Sequence, residues 1–137
     1  MSEVVRGVVV AHSDLAQALV RAVEAIAGVR GALVPISNEG VGPEEFRRRI
    51  EASVGDGPAI IFVDLSSGSC AFSGRLAAGN CGDAAVLTGV SLPMLLDFVF
   101  HREMGLRDLV RRLVRKAQEE THCYMFEVSG ADRPVSH

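Results

Sequence analysis

One stretch near the amino terminus sets the architecture of the chain: Val8-Val9-Val10-Ala11-His12-Ser13-Asp14-Leu15-Ala16. Its apolar run is typical of a strand that is covered on both faces, and the residues from Ser13 onward are typical of a helix start. A strand that ends at a histidine and passes directly into a helix places an imidazole at the carboxyl edge of a sheet. In open α/β folds, ligands bind and chemistry occurs at that edge. His12 is therefore the first candidate functional residue.

The rest of the chain continues this alternation of apolar strands and amphipathic helices. The first strand is expected over residues 4–11 and the next helix over 13–27, with Gly28 as its stop. Proline near the start of a segment predicts two further helix entries, at Pro43 and Pro93. The remaining strands are expected over 31–36, 59–63, 84–90 and 124–128, and the last helix over about 106–120.

This alternation predicts an α/β fold, a doubly wound and mainly parallel sheet flanked by helices on both faces. With strand order 2-1-3-4, the first and third strands are neighbours. The third strand stops at Asp64, so His12 and Asp64 are expected to meet at the switch point where the connections diverge. A length of 137 residues predicts a single domain over 1–137.

The composition argues against several classes of protein. The net charge is −3 and the arginines are scattered, without the basic patch or aromatic platform of a nucleic-acid binder. The first apolar run is too short for a signal peptide and the run 92–100 is interrupted by Pro93 and Asp97, which predicts a cytoplasmic protein without a membrane span. The cysteines show no Cys-x-x-Cys spacing, so neither a disulfide framework nor a zinc site is indicated. No metal and no cofactor are expected.

A histidine beside a carboxylate has a definite chemical use. The carboxylate accepts a hydrogen bond from one ring nitrogen, which fixes the tautomer and directs the lone pair of the other nitrogen outward. Such an imidazole can act as a base, bind a metal or attack an electrophile such as phosphorus. The loop Ser66-Ser67-Gly68-Ser69 favours the last use, because its backbone N–H groups and hydroxyls can hold an anion.

Three segments of the chain match one protein family. They are the first strand ending in His12, the segment Phe62-Val63-Asp64-Leu65 before the small-residue loop, and Thr88-Gly89-Val90-Ser91-Leu92-Pro93-Met94-Leu95-Leu96. The third segment is similar to the family's Gly-Val-Asn-Leu-Pro-Met-Leu. The chain thereby resembles, over nearly its whole length, the enzyme IIA component of the mannose family of the bacterial phosphoenolpyruvate-dependent sugar phosphotransferase system.

The resemblance implies a phosphotransferase that relays a phosphoryl group. His12 would accept the group from the phosphohistidine of the general phosphocarrier protein and pass it to a histidine of a IIB domain or protein, for sugar uptake or its regulation. Asp64 would pair with His12, and Ser67, Gly68 and Ser69 would bind the phosphate.

The resemblance also implies an assembly. The family is typically a homodimer that exchanges its last strand, here residues 124–128, which leaves 129–137 as a flexible tail. Contact with a membrane is expected only indirectly, through a permease complex.

The chain departs from the family pattern around the expected site. The departures include the first Gly and the Pro of the Gly-Gly-Ser-Pro motif, and the substituted positions are Ser13, Ser67, Cys70, Phe72 and Ser91. A non-transport regulatory or anion-binding module that uses the same pocket therefore stays open. A hydrolase with the histidine as its base is a weaker alternative, because the chain has no Gly-x-Ser-x-Gly elbow.

Overall fold

Residues 4–127, the part of the chain that the computed structural model describes, contain four strands and five helices, which alternate except that two helices follow the last strand. The strands are β1 (Arg6–Ala11), β2 (Leu33–Ser37), β3 (Ala59–Val63) and β4 (Ala84–Leu87). The helices are α1 (Leu15–Ala27), α2 (Pro43–Val54), α3 (Ser69–Asn80), α4 (Leu92–Val99) and α5 (Leu106–Glu119).

The strands form one sheet in the order β2-β1-β3-β4, and every neighbouring pair is parallel. The predicted α/β fold and strand order are confirmed. β1 and β3 lie in the centre of the sheet, and all five residues of β3 are buried, as expected for a strand covered on both faces. Val10 pairs with Val63, so the two central strands end at the same level of the sheet.

The helices bury the sheet from both sides. Alternate residues of β1 face opposite ways, so Val9 packs in one apolar cluster and Val8 and Val10 in the other. The first cluster draws its helical residues from α1, α4 and α5, and the second from α2 and α3. In the first cluster the rings of Phe62 and Phe98 meet edge to face, with centroids 5.2 Å apart.

β1 and β2 each begin two residues later than predicted, and two further strand predictions differ more strongly. β4 ends at Leu87 rather than Val90, because the chain turns at Gly89, whose φ is 64°. Residues 124–127 form no strand within this single chain, and Val128 lies outside the described residues together with the predicted tail 129–137. The exchanged strand therefore stays a prediction. Within residues 4–127, no helix has the length and apolar character needed to span a membrane.

Candidate functional site

His12 and Asp64 lie side by side at the carboxyl edge of the sheet, and each directly follows a central strand. The Oδ2 atom of Asp64 is 2.8 Å from His12 Nδ1 and accepts a second hydrogen bond, 3.0 Å long, from the His12 backbone N–H. The other oxygen, Oδ1, accepts the backbone N–H of Leu65 at 2.9 Å. Three donors therefore hold the carboxylate in one orientation.

This geometry determines which ring nitrogen of His12 is reactive. A carboxylate only accepts hydrogen bonds, so the proton of the neutral ring resides on Nδ1. Nε2 is then the unprotonated nitrogen with a free lone pair. The His12 side chain is 41 % exposed and that of Asp64 only 10 %, so the ring is accessible while its partner is shielded.

The carboxylate of Asp64 stays ionised beside the ring. Burial raises its pKa, but the hydrogen bonds from the His12 backbone N–H and side chain, with the attraction of the ring, outweigh burial and lower the pKa below its ordinary value of 3.8. A negative charge thus faces Nδ1 throughout the neutral pH range. This charge stabilises any state in which the ring becomes cationic.

The small-residue loop leads into the first turn of α3. Ser67, Gly68 and Ser69 are all exposed, with Ser69 the first residue of the helix. Gly68 has φ 92° and ψ −174°, a conformation open essentially to glycine alone. No side chain caps this helix end, so its first N–H groups have no capping acceptor from a side chain and can bind an anion.

Cys70 is a neighbour of the histidine that sequence reasoning missed. Its Sγ lies 3.6 Å from His12 Nδ1, and the residue is completely buried. Burial, and then the charge of Asp64, raise the pKa of the Cys70 thiol to about 11, so it is a thiol rather than a thiolate. The signal in the sequence was its position directly after the predicted phosphate loop. Its contact with His12 brings the first turn of α3 against the ring.

The carboxyl end of β2 supplies a second set of missed residues. Ser13 has a left-handed backbone with φ 55°, which a non-glycine residue adopts at a cost. Its N–H donates to Asn38 Oδ1 at 3.3 Å, and its carbonyl accepts the Ser37 hydroxyl at 2.6 Å. These bonds hold the turn after His12. Ser37 is the last residue of β2 and Asn38 directly follows it. Both therefore lie at the carboxyl edge of the sheet, as His12 and Asp64 do.

The segment after β4 completes this edge of the sheet. The Val90 N–H donates to the carbonyl of Val63 at 3.0 Å, which ties the segment to the end of β3. Ser91 caps α4, since its Oγ accepts the Met94 N–H at 3.3 Å. His101 lies beyond α4, where its Nδ1 is 2.8 Å from the carbonyl oxygen of Asp97; it takes no part in the His12 cluster.

Comparisons with known proteins identify the family and the fold of the chain. The family model described as "PTS system fructose IIA component" (EIIA-man) matches residues 7–120. The phosphotransferase system component EIIA from Streptococcus agalactiae is 23 % identical, with a TM-score of 0.80 over 85 % of this chain and 95 % of that chain. The mannose/sorbose specific IIA subunit from Enterococcus faecalis is 18 % identical, with a TM-score of 0.76 over 87 % and 93 % of the two chains.

A sigma-54 interaction domain protein from Enterococcus faecalis has the same fold, at 13 % identity and a TM-score of 0.69, over 88 % of this chain and 100 % of that chain. No curated protein matches the chain. The solved structures, at these identities, show the fold alone, whereas the family model covers most of the chain. The protein therefore belongs to the mannose-type EIIA family of the phosphotransferase system, whose members are components of phosphoryl transfer.

Proposed function

We propose that the protein carries a phosphoryl group on His12 Nε2, accepting it from the phosphohistidine of the phosphocarrier protein and passing it to a histidine of a IIB domain or protein. The observation that carries this proposal is the 2.8 Å hydrogen bond between Nδ1 and Asp64 Oδ2. It leaves Nε2 as the nucleophile on an accessible ring.

The transfer step is a displacement at phosphorus. The lone pair of Nε2 attacks the phosphorus atom, a new P–N bond forms, and the P–N bond to the carrier's imidazole breaks with its electron pair left on that nitrogen. The Nδ1 proton stays in its hydrogen bond to Asp64. In the transfer to IIB, the histidine nitrogen of that protein attacks the phosphorus atom, and the P–N bond to His12 breaks with its electron pair left on Nε2.

The first turn of α3 is proposed to hold the phosphoryl oxygens. Backbone N–H groups at the start of a helix and the positive end of its dipole favour an anion. Ser67, Gly68 and Ser69 stand at this helix start, and Cys70 brings the same turn against the ring. They are proposed as the phosphate-binding residues, with His12 and Asp64 as the catalytic ones.

Phosphorylation in the presence of the cognate system tests the proposal. The purified chain is incubated with phosphoenolpyruvate, enzyme I and the phosphocarrier, and the expected product has gained one acid-labile phosphoryl group by intact mass. His12→Gln must abolish the gain. His101→Gln is the matched control, because His101 also has a nearby aspartate, with its Nδ1 3.3 Å from Asp97 Oδ1. Phosphorylation that survives in His12→Gln, or no phosphorylation of the wild type, refutes the assignment.

The destination of the phosphoryl group is tested by mixing the phosphorylated chain with a candidate IIB protein and measuring whether the group moves from His12 to that protein. Transfer supports a role in sugar uptake, with membrane contact only through a permease complex. A cytoplasmic location accompanies this proposal, because Cys70, Cys81 and Cys123 are all free and free thiols suit a reducing compartment.

A regulatory module that does not feed a permease is the second candidate function. The observation that favours it is Cys70 against His12, at a position where the resembled motif has proline. A non-family side chain in contact with the reactive ring alters the surroundings that a partner's histidine must enter. Rapid phosphorylation by the carrier without onward transfer to any IIB protein encoded with it would select this candidate.

We further propose a homodimer that exchanges residues 124–128. β4 lies at one edge of the sheet, and an edge strand presents outer N–H and C=O groups that can pair with another strand. Tyr124, Met125 and Phe126 are exposed in the single chain, which suits a segment that is buried by a second copy. Light scattering should give the mass of a dimer for the full chain and of a monomer for a chain ending at Thr121; a monomeric full chain refutes the exchange.

A further inference from the structure

We propose that His12, Asp64 and Cys70 form a binding site for Zn²⁺, and that zinc and the phosphoryl group exclude one another on His12. The second half of this statement rests on the proposed function; the first half does not. Within residues 4–127 this is the one group of three His, Cys, Asp or Glu side chains whose ligand atoms all lie within 4.8 Å of one another.

The chemistry of the three ligands favours zinc over magnesium and calcium. A thiolate with an imidazole nitrogen suits a borderline-soft ion, whereas Mg²⁺ and Ca²⁺ prefer oxygen ligands alone. Zinc sites with three protein ligands keep a fourth position for water. His12 is partly exposed, so solvent can supply that ligand from its side of the cluster.

One of the three ligand–ligand distances already fits a tetrahedral ion, and the second needs a small change. Zn–S and Zn–N bonds of about 2.3 and 2.0–2.1 Å at a tetrahedral angle place sulfur and nitrogen about 3.6 Å apart. The observed separation of Cys70 Sγ and His12 Nδ1 is 3.6 Å. The Nδ1–Oδ2 distance to Asp64 is 2.8 Å because a proton bridges the two atoms; it must widen by roughly 0.5 Å when an ion replaces that proton.

The carboxylate is already oriented for such a role. Asp64 Oδ1 accepts the Leu65 N–H and Oδ2 the His12 backbone N–H. Hydrogen bonds of this kind hold a metal ligand in place and raise the affinity of a site.

Zinc binding changes the protonation of the cluster in a defined way. Cys70 loses its thiol proton to solvent as the Zn–S bond forms, and the proton on His12 Nδ1 moves to Nε2 as the metal takes the Nδ1 lone pair. One proton is released for each ion bound. Nε2 then carries a hydrogen and has no lone pair for phosphorus, so a zinc-loaded chain cannot accept a phosphoryl group. A chain phosphorylated on Nε2 retains its Nδ1 proton, so Nδ1 has no lone pair with which to bind zinc.

Cobalt is the spectroscopic probe for the site. Co²⁺ is titrated into the reduced full-length chain, and we expect one equivalent to give tetrahedral d–d bands and a thiolate-to-cobalt absorption, both removed by one equivalent of Zn²⁺. Cys70→Ser should lose the thiolate band and bind zinc at least about 100-fold more weakly, since losing a direct ligand costs more than losing an outer-shell partner. Cys81→Ser is the matched control, since Cys81 lies outside the cluster, and should behave as the wild type.

Two results overturn the site: no thiolate-to-cobalt band in the wild type, or a band that persists in Cys70→Ser. If Cys70→Ser does not fold by circular dichroism, His12→Gln replaces it, because a partly exposed ring is the safer position to change. A cobalt spectrum identical to the wild type in His12→Gln then overturns the site.

The exclusion is tested by phosphorylation after loading with zinc. The phosphorylation rate of the wild type should fall in proportion to zinc occupancy. Cys70→Ser should be phosphorylated at the same rate with and without zinc. The variant also serves as the control for effects of zinc on enzyme I and the phosphocarrier. A wild-type rate independent of zinc overturns the exclusion. A chain that binds cobalt through Cys70 but is never phosphorylated supports the metal site and refutes the proposed function. A chain that is phosphorylated on His12 but gives no thiolate-to-cobalt band supports the proposed function and refutes the metal site.

Discussion

Replacing Asp64 by asparagine separates two roles of its carboxylate: fixing the tautomer of His12 and supplying a negative charge. Three donors converge on the side chain, with Oδ2 accepting the His12 backbone N–H and Nδ1–H, and Oδ1 the Leu65 N–H. Asparagine has only one acceptor oxygen, so it can accept hydrogen bonds either from His12 or from Leu65, but not from both.

The backbone N–H of His12 determines the orientation of the asparagine amide. It cannot change from donor to acceptor, and it lies in a partly buried position. An amide oxygen turned toward His12 satisfies two donors, and the Leu65 N–H that loses its acceptor belongs to a residue that is 56 % exposed and can turn to water. The opposite orientation leaves the His12 N–H facing an NH₂ group. We therefore expect Asp64→Asn to keep the proton on Nδ1.

The remaining loss is that of the charge. A hydrogen bond to a charged group contributes about 1.5–3 kcal/mol and a neutral one about 0.5–1.5 kcal/mol. Because His12 is partly exposed, solvent screening keeps the difference at the low end of the two ranges, roughly 1 kcal/mol. The rate of phosphorylation should then fall about fivefold. Asp64→Ala, which removes the acceptor for both donors, should fall on the order of a hundredfold or more.

Two measurements check this reasoning. Mass spectrometry at timed intervals, with the phosphocarrier in excess, gives the rates of the wild type and both variants. Nitrogen-15 NMR of the His12 ring reports which nitrogen carries the proton. A ring protonated on Nε2 in Asp64→Asn, or a rate as low as that of Asp64→Ala, would refute the argument.

Three further predictions concern stability. Gly68→Ala should destabilise the fold by about 1–3 kcal/mol in urea denaturation; an added Cβ meets nothing within 4 Å, so the cost is conformational, and a loss within error of zero contradicts it. Ser91→Ala should lower stability by about 1 kcal/mol, because Ser91 Oγ caps the Met94 N–H; an unchanged melting temperature contradicts that. The pKa of Asp64 is lower in the folded state than its ordinary value of 3.8. The ionised carboxylate therefore stabilises the fold fully above about pH 3.8, and this contribution is lost as the pH falls through the folded-state pKa. Wild type should thus lose more stability than Asp64→Asn between about pH 6 and pH 2, and equal losses would exclude the effect.

The elements of the fold are largely predictable because their patterns are local. Runs of Val and Ile mark β1 and β3 as central strands, and glycine or proline marks most helix ends. β4 was predicted too long, since the apolar pattern continues through Val90 while the backbone turns at Gly89. Hydrophobicity alone does not reveal a positive φ.

The sequence by itself determined that His12 and Asp64 follow two strands of a parallel sheet, and strand order 2-1-3-4 makes those strands neighbours. It could not determine that Cys70 Sγ lies 3.6 Å from the ring, across 58 residues of chain, or that Ser37 and Asn38 hold the turn after the histidine. Local apolar runs mark β1 and β3, and in every parallel sheet the carboxyl ends of the strands lie at one edge. The tilt of α3 and the path after β2 depend on how side chains from distant segments pack, and only the tertiary structure decides which of them touch.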